Sequence, residues 1–364
     1  MMSNYLGYTI FSVMLLTACG GGGGDAKTLG IAPTVTFGRI GFITNTTESR
    51  PSAVSGNGLV IVGNTRSISG KSLAFRWTEF EGIKSLDLME SGSFSDARAV
   101  SADGSVVVGN GDTQDRSSTV FRWTMNTGMR ELSALSNAKL CVAGGVSGDG
   151  NSVIGTCLLV GNSAFHWTEQ TGSVPLGQLG GGSNRSSNAL AISSDGSTVV
   201  GVGHPVLTGA VVWNLHAETR LLGTLPGDTS AAANAVSRNG SVVAGYSINA
   251  ESRQRAFRWT ALTGMTALTS TESTLFEVNV GAVSGDGRLM VGWGGTPNEE
   301  VAVVWDEVHG VRRLVDMLKL DYQTTIEGWI LTRATGISDD GHTIVGFGTN
   351  PDGHTEGWVL ILRK

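Results

Sequence analysis

Ser101-Ala102-Asp103-Gly104-Ser105-Val106-Val107-Val108 is a tight turn followed by a valine-rich strand, and this pattern recurs along the chain. Further copies of the Ser-x-Asp/Asn-Gly turn begin at Ser55, Ser147, Ser193, Ser237, Ser284 and Ser338. Successive turns lie 46, 46, 46, 44, 47 and 54 residues apart. A period of this length indicates a repeat protein, in which each unit needs its neighbours to bury its apolar surface.

Each copy predicts four short antiparallel strands. In the second copy these are Arg98–Ser101, Ser105–Asn110, Val120–Thr124 and Met129–Leu135. Four strands in about 46 residues is the length of a β-propeller blade. The second strands are continuous apolar runs, as in Val106-Val107-Val108, which indicates burial on both faces. A blade between two neighbouring blades is buried in this way.

A tryptophan recurs at the same point of six third strands. These residues are Trp77, Trp123, Trp167, Trp213, Trp259 and Trp305. Regularly spaced aromatic residues could form a ligand-stacking ladder, as in sugar-binding proteins. The position favours a packing role instead, because a large side chain there fills the widening gap between blades.

The two chain ends predict how the ring closes. The seventh copy supplies Gly336–Ser338, His342–Gly346 and Gly357–Leu362, with no fourth strand after them. The segment Thr36–Gly41 looks like an unpaired fourth strand, since it matches the Leu-Gly-x-Leu segments that end other copies. We therefore predict an all-β protein, a seven-bladed β-propeller over residues 34–364 whose last blade is completed by the N-terminal strand. Closure also removes an exposed sheet edge.

Two cysteines flank the third turn. If the turn pairs Ser147 with Asn151, paired residue numbers sum to 298, and Cys141 and Cys157 fall directly opposite each other. Cross-strand neighbours are nearly close enough for a disulfide. We expect that disulfide in an oxidising compartment, the alternative being two buried thiols. No histidine or further cysteine lies at metal-ligand spacing, so no metal site is expected.

The N-terminus resembles the signal sequence of bacterial lipoproteins. Residues 6–18 are almost entirely apolar or small, and Leu16-Thr17-Ala18-Cys19 resembles a lipobox, although Met1–Tyr5 carries no Lys or Arg. The resemblance implies a signal peptide over residues 1–18 and lipid on Cys19, anchoring the protein to a membrane. Residues 19–33 include five consecutive glycines and would act as a tether. The absence of Asp after Cys19 favours the outer membrane and possible display at the surface over inner-membrane retention.

The repeat unit also resembles a known family. Its form is Leu-Gly-x-Leu, then Ala-x-Ser-x-Asp-Gly with Val-Val-Gly, then Ala-Phe-Arg-Trp-Thr, and the tail runs Gly346-Phe347-Gly348-Thr349-Asn350-Pro351-Asp352-Gly353. Over residues 35–364 these segments resemble the HAF repeats of bacterial extracellular proteins. The resemblance implies a secreted or surface-displayed propeller-like domain, often an autotransporter passenger. No translocator barrel follows in this sequence, so we expect lipid to take its place as anchor.

Composition and motifs narrow the function without identifying it. Charged residues make up 15% of the chain and the net charge is −6, so a basic nucleic-acid surface is not expected. The turn aspartates, such as Asp103, could be imagined as calcium ligands, but Asn57 and Asn239 occupy the same position and turn geometry explains both residue types. No nucleophile motif or cofactor motif stands out, which favours a non-catalytic protein without a cofactor.

The loops that vary between copies should all lie on one face, because they join second to third strands and blade to blade. Candidate binding residues there are Arg185, Asp228 and Arg253. The leading hypothesis is an envelope-anchored binding or adhesion module for a protein or glycan. The alternatives are a propeller hydrolase or lyase acting on a carbohydrate or lactone, and a scaffold subunit of an envelope assembly. Carboxylates clustered over the channel would favour an enzyme, and an aromatic rim would favour a protein partner.

Overall fold

The repeats fold into seven four-stranded antiparallel sheets arranged as the blades of a β-propeller, which confirms the predicted fold class. The computed structural model describes residues 33–363 except 160, 178–185, 205–208, 217, 271, 273–274 and 297–298. The predicted signal peptide, nearly all of the predicted tether, and Cys19 lie outside the described residues. None of the helices described in this structure is long and apolar enough to cross a membrane.

The blades follow the chain in order. The first strand, β1 (Thr34–Arg39), belongs to the last blade. Blade 1 contains β2 (Thr46–Val54), β3 (Ile61–Ser67), β4 (Ser72–Thr78) and β5 (Gly82–Ser85). Blade 2 contains β6 (Ser95–Val100), β7 (Val106–Thr113), β8 (Arg116–Thr124) and β9 (Gly128–Glu131). Blade 3 contains β10 (Leu140–Val146), β11 (Val153–Leu158), β12 (Asn162–Thr168) and β13 (Gly172–Pro175). Blade 4 contains β14 (Ser186–Ile192), β15 (Thr198–His204), β16 (Gly209–Asn214) and β17 (Arg220–Gly223).

The remaining blades complete the circle. Blade 5 contains β18 (Asp228–Val236), β19 (Val242–Asn249), β20 (Gln254–Thr260) and β21 (Gly264–Ala267). Blade 6 contains β22 (Phe276–Val283), β23 (Met290–Gly295), β24 (Glu300–Asp306) and β25 (Gly310–Arg313). Helix α1 (Leu314–Asp321) follows, and blade 7 contains β26 (Ile330–Ile337), β27 (Thr343–Thr349), β28 (Thr355–Arg363) and β1. The first strand of each blade contacts the first strands of both neighbours, including β26 with β2.

The serine turns link the blades around the axis on one face, here called the turn face. The Ala102 amide donates to the Gly148 carbonyl (2.9 Å), and the Gly148 amide donates to Ser194 (2.8 Å). Five more bonds from a backbone amide to a backbone carbonyl complete the circle: Asp195 to Arg238, Arg238 to Gly285, Gly285 to Asp339, Asp339 to Gly56, and Asn57 to Ala102. These seven backbone hydrogen bonds form a closed circle, which we call the turn ring. The opposite side of the propeller is called the loop face.

Each turn is held by its own serine and by the Asp or Asn two residues later. In blade 2 the buried Ser101 hydroxyl donates to Asp103 Oδ1 (2.6 Å) and accepts from the Val106 amide (3.0 Å). Asp103 Oδ1 also accepts from the Ser105 amide (2.9 Å), and Gly104 has a φ of +79°, a conformation that glycine adopts without strain. Turn chemistry therefore explains the recurring Ser-x-Asp/Asn-Gly, as predicted.

The cysteine pairing is confirmed, but the turn register behind that prediction is wrong. The Ser147 amide donates to Ser152 (2.9 Å), one residue beyond the predicted Asn151. An unpaired residue, Gly144, then shifts the register back, so that Cys141 faces Cys157 and forms a disulfide with it. The one-residue shift at the turn and the extra residue at the bulge cancel, so the predicted pairing of the two cysteines is still correct.

The same β-bulge occurs in the first strand of all seven blades. It brings a carbonyl of the first strand close to the glycine that ends the Val-Val-Gly run on the second strand. A Cβ on Gly109 would lie 2.0 Å from the Asp96 carbonyl oxygen, and the equivalent glycines of the other blades show distances of 1.9–2.2 Å. The glycine recurs because no side chain fits beside the bulge.

Packing between blades follows the predicted role of the tryptophans. Trp167, Trp213 and Trp259 are buried, while Trp77, Trp123 and Trp305 are half-buried. The long interval before the last turn contains helix α1. Its Leu314, Met317 and Leu318 side chains share one helical face and pack into the core around Trp358.

Blade 7 closes as predicted, with β1 pairing against β28 from Thr34–Arg363 to Arg39–Trp358. A polar contact fixes the loop-face end of this pairing. The Glu356 carboxylate, 1% exposed, accepts from the Arg39 guanidinium (2.6 Å), from the Asn350 amide group (2.7 Å) and from the Gly41 backbone amide (3.1 Å). Every bond to this buried charge comes from blade 7 or the chain directly after β1.

Deleting residues 34–43 should lower the Tm and expose residues 334–363 to protease, because β28 loses its edge partner and Glu356 its charge partner. Arg39→Met should have a smaller effect in the same direction. Limited proteolysis with mass spectrometry measures both. If the C-terminal segment keeps its protection after the deletion while blade 1 loosens, closure through β1 is refuted.

The turn aspartates should make stability acid-sensitive. The Ser101 hydroxyl and then the Ser105 amide lower the pKa of Asp103, and the equivalent Ser147 and Asn151 contacts lower the pKa of Asp149. A carboxyl with a lowered folded-state pKa contributes stability above its unfolded pKa of about 3.9, and this is lost as pH falls below about 4.

Asp103→Asn/Asp149→Asn should therefore unfold in urea at pH 7 much like wild type, as Asn57 and Asn239 fill the same role. Its free energy of unfolding should then fall less steeply than that of wild type between pH 4 and 2.5. Asp103→Ala should cost about 1 kcal/mol at pH 7, through lost hydrogen bonds. An unchanged acid slope in the double variant would show that these carboxylates do not carry the effect.

Candidate functional site

The structure gives different positions to the three predicted binding residues. Arg185 lies outside the described residues. Arg253 is exposed on the loop face, in the hairpin between β19 and β20, where its backbone is tied to Asn249 (2.9 Å). Asp228 begins β18, but its side chain is only 1% exposed and pairs with Arg255 (2.6 Å). Asp228 therefore holds the blade together and is not presented to a partner.

Near the loop end of the central channel, two equivalent positions in each blade meet across the interfaces between neighbouring blades. One lies five residues before the turn serine on the first strand, and the other lies nine residues after it on the second strand. Between blades 1 and 2 these positions hold Asp96 and Asn64, whose side chains are hydrogen-bonded (2.8 Å). Asn110 and Thr156 at the second position accept backbone amides of Ala143 (2.7 Å) and Ala189 (3.2 Å). At these interfaces the residues are polar, and their side chains are hydrogen-bonded within the protein.

Blades 6, 7 and 1 depart from that pattern at the same positions. The Arg333 guanidinium carbon lies 4.7 Å from the centre of the Trp293 ring, and the Arg50 guanidinium carbon lies 5.1 Å from the centre of the Phe347 ring. Arg333 and Phe347 are register partners within blade 7, so the four side chains alternate across two blade interfaces. We call Trp293, Arg333, Phe347 and Arg50 the arginine–aromatic patch.

Carboxylates hold both arginines of the patch in place. Glu300 accepts from Arg333 Nε (2.7 Å) and Nη2 (2.9 Å), the two-pronged geometry typical of strong arginine pairs. Glu48 accepts from Arg50 Nε (2.9 Å), and the Arg50 residue is exposed. Stacking on an aromatic face leaves the remaining guanidinium N–H groups free to meet a ligand.

Apolar side chains widen the patch outward on the loop face. Phe276 and Ile330, which begin β22 and β26, are 47% and 46% exposed. Trp329 is half-buried, packs edge-on against Phe37 (5.1 Å between centroids) and lies under the Arg39 guanidinium (5.8 Å). The exposed surface of blades 6, 7 and 1 is therefore rich in arginine and aromatic groups.

Sequence reasoning did not select the patch residues, although a signal was present. The residue at this position changes from polar in blades 1 to 3, through valine in blade 4, to aromatic in blades 5 to 7: the seven residues are Asn64, Asn110, Thr156, Val202, Tyr246, Trp293 and Phe347. A comparison of the copies position by position would have found this change. It would not have shown that Trp293 and Phe347 each lie beneath an arginine of the next blade.

A small cavity of about 110 Å³ lies at the turn end of the channel and is lined by residues of the turn ring, including Gly56, Ser194, Arg238 and Asp339. Arg238 pairs with Asp339 at 3.4 Å across the ring. Burial raises the pKa of Asp339, and the nearby Arg238 charge only partly opposes this.

Among the described residues, no group of three or more His, Cys, Asp or Glu side chains is placed to hold a metal ion. The Oδ1 oxygens of the turn aspartates bind their own serine and a backbone amide, as at Asp149 (2.5 and 3.0 Å). At the loop end, Glu48 and Glu300 are paired with arginines, and Asp96 accepts from the Asn64 amide group and the Ser72 hydroxyl.

Comparison with known proteins supports the fold. No family model and no curated protein matches the chain. Among solved structures, an oligogalacturonate lyase from Vibrio parahaemolyticus aligns with a TM-score of 0.57 and 12% identity, over 90% of this chain and 97% of the lyase. An oligogalacturonate lyase in complex with manganese gives 0.57 and 13%, over 92% and 97%. TolB from Acinetobacter baumannii gives 0.49 and 14%, over 71% of this chain and 66% of TolB. At these identities the likeness shows the propeller fold alone.

Proposed function

We propose that this chain is a non-catalytic binding module that recognises a protein partner through the arginine–aromatic patch on its loop face. The observation that carries this proposal is the break in sevenfold similarity at the loop end of the channel. At the interfaces from blade 1 to blade 4, polar side chains are hydrogen-bonded within the protein. At the interfaces of blade 7 with blades 6 and 1, arginine side chains lie over aromatic rings instead.

The chemistry of the patch supports a protein partner over an enzyme substrate. Tryptophan, tyrosine and arginine are the residues most often responsible for binding energy at protein interfaces. Exposed Phe276 and Ile330 add apolar surface around the patch. Among the described carboxylates near the channel mouth, Glu48 and Glu300 are paired with arginines and Asp96 is bound by Asn64 and Ser72, so these three groups are engaged within the protein and do not favour hydrolase or lyase chemistry there. A glycan partner and a scaffold role in an envelope assembly are the other outcomes for the test below.

We further propose that the propeller acts at the cell envelope, as an outer-membrane or surface lipoprotein tethered through Cys19, and that its repeats are of the HAF type. The support is the lipobox-like Leu16-Thr17-Ala18-Cys19, the glycine run after it and the repeat unit itself. A disulfide between Cys141 and Cys157 suits an oxidising compartment outside the cytoplasm.

Changes in the patch should weaken partner capture without unfolding the propeller. Arg50→Glu and Arg333→Ala should each reduce the affinity for the captured protein about 10- to 30-fold, equal to about 1.4–2 kcal/mol. The partner is first identified by pull-down from detergent-solubilised envelope with mass spectrometry, and affinity is then measured with the purified pair.

Arg288→Glu is the matched control, because Arg288 is a highly exposed arginine on the turn face. It should bind the partner like wild type. Arg253→Glu tests whether the interface extends to blade 5. Equal binding by the patch variants and wild type would refute the patch as the binding surface, and turnover of a purified glycan or lactone by the wild type would support an enzyme.

Lipid attachment has its own test. Metabolic labelling with a palmitate analogue should mark the wild-type protein and leave Cys19→Ser unlabelled, because the thioether at that cysteine is the attachment point. Fractionation of the same cells should find the labelled protein in the membrane fraction. Equal labelling of both proteins, or release of the wild type into the medium, would refute the lipoprotein proposal.

A further inference from the structure

A second surface feature lies on the turn face, away from the arginine–aromatic patch. It is a groove of about 470 Å³ between the outer parts of blades 5 and 6. The β20–β21 hairpin forms one wall and the β24–β25 hairpin the other. A volume of this size matches the pockets that hold small ligands.

A short side chain borders the groove where blade 4 has a long one. In blade 4, Arg220 on the fourth strand covers the tryptophan of the next blade, with its guanidinium carbon 5.2 Å from the Trp259 ring centre. Thr266 is the equivalent residue of blade 5, since it pairs with Arg258 as Arg220 pairs with Val212. Threonine is too short to reach across the interface in the same way. Trp305 of blade 6 is half-buried and lines the groove, whereas Trp259 is 8% exposed.

Long cationic side chains occupy this position in four other blades, which carry Lys84, Arg130, Arg220 and Arg312. The stems of such side chains can cover apolar surface. Blade 3 carries Val174 there, and Trp213 of the following blade is nevertheless 2% exposed. A short side chain alone therefore does not open an indole ring, and the combination of Thr266 with a half-buried Trp305 lining a groove is what characterises the interface of blades 5 and 6.

Arg258 also lines the groove, and its guanidinium forms no hydrogen bond with any residue that the structure describes. Its Nε is buried. The equivalent Arg76 binds Glu81 (2.8 Å), and Arg122 binds the Gly150 carbonyl (3.2 Å). Arg76 Nε is likewise buried without a partner, so what distinguishes Arg258 is that its remaining guanidinium N–H groups also form no hydrogen bond with a described residue and can meet a ligand in the groove. A carboxylate fits best, because it accepts two parallel bonds from a guanidinium.

The other polar groups of the groove suit hydroxyls. Thr269 lies on one wall, and His309 and Glu307 lie on the other. His309 Nδ1 is bound to Asp306 (2.9 Å), so Nε2 is the ring nitrogen that remains for a ligand. An aromatic face, a guanidinium and several hydroxyl partners together match a sugar ring that carries a carboxylate.

We propose that this groove binds an acidic sugar residue of the uronic-acid type. One C–H face of the sugar ring stacks on Trp305, the carboxylate pairs with Arg258, and ring hydroxyls bind Thr269 and His309. No bond is made or broken. This site is independent of the protein-binding patch, which lies on the opposite face.

The test compares methyl β-glucuronide with methyl β-glucoside, which carries a neutral CH2OH group in place of the carboxylate. Binding is measured by saturation-transfer NMR and tryptophan fluorescence. The wild type should bind the glucuronide at least about 10-fold more tightly, which corresponds to about 1.4 kcal/mol. Equal binding of the two sugars, or binding of neither, would overturn the proposal.

Two variants test the position of the site. Thr266→Arg should give Trp305 the cover that Arg220 gives Trp259, so it should keep or raise the Tm while reducing glucuronide binding about 10-fold or more. Arg258→Gln should remove the preference for the acidic sugar. Arg122→Gln, at the same strand position in blade 2, is the control and should bind like wild type. Unchanged glucuronide binding by a folded Thr266→Arg protein would refute the groove as the site, whatever the outcome at the patch.

Discussion

The turn ring constrains everything else in this structure. Seven backbone hydrogen bonds join seven tight turns in a circle, and each turn must therefore approach the next at nearly the same distance. Small residues meet that demand: a Cβ on Gly148 would come within 2.3 Å of the Ser194 hydroxyl. Where larger residues stand in the ring, at Arg238 and Asp339, they pair with each other across it. One end of the propeller is thereby fixed.

The loop face is free of this constraint. The strands start from closely spaced turns, but at their far ends the side chains need only hydrogen-bond partners and room beside their neighbours. The chain uses that freedom unevenly. Asn64, Asn110 and Thr156 bind within the protein, whereas Trp293 and Phe347 support arginines that remain accessible. The closing contact of Glu356 with Arg39 lies on the same face, so the exposed surface rests on a firmly closed blade.

In a protein of near-identical units, function is carried by departures from the unit. A side chain that recurs in every blade is explained by packing or turn geometry, as the serine, the glycines and most of the tryptophans are here. The patch lies where arginines of one blade meet Trp293 and Phe347 of the preceding blade, and the groove lies beside Thr266, where four other blades carry a long cationic side chain. The two departures lie on opposite faces, so the scaffold can carry two separate recognition surfaces.

The sequence alone determined the period, the turns, the seven blades, the closing strand and the cysteine pair. Those features depend on contacts within a few residues of each turn, or on counting strands, and both are visible in a linear pattern. Only the tertiary structure decided which side chains meet across a blade interface. It buried Asp228 under Arg255, placed a helix at Leu314–Asp321, and introduced the bulge that corrected the cysteine register. The repeat predicts which blades are neighbours. Which side chain covers each aromatic ring depends on side-chain length and burial, and these contacts are determined only when two blades pack together.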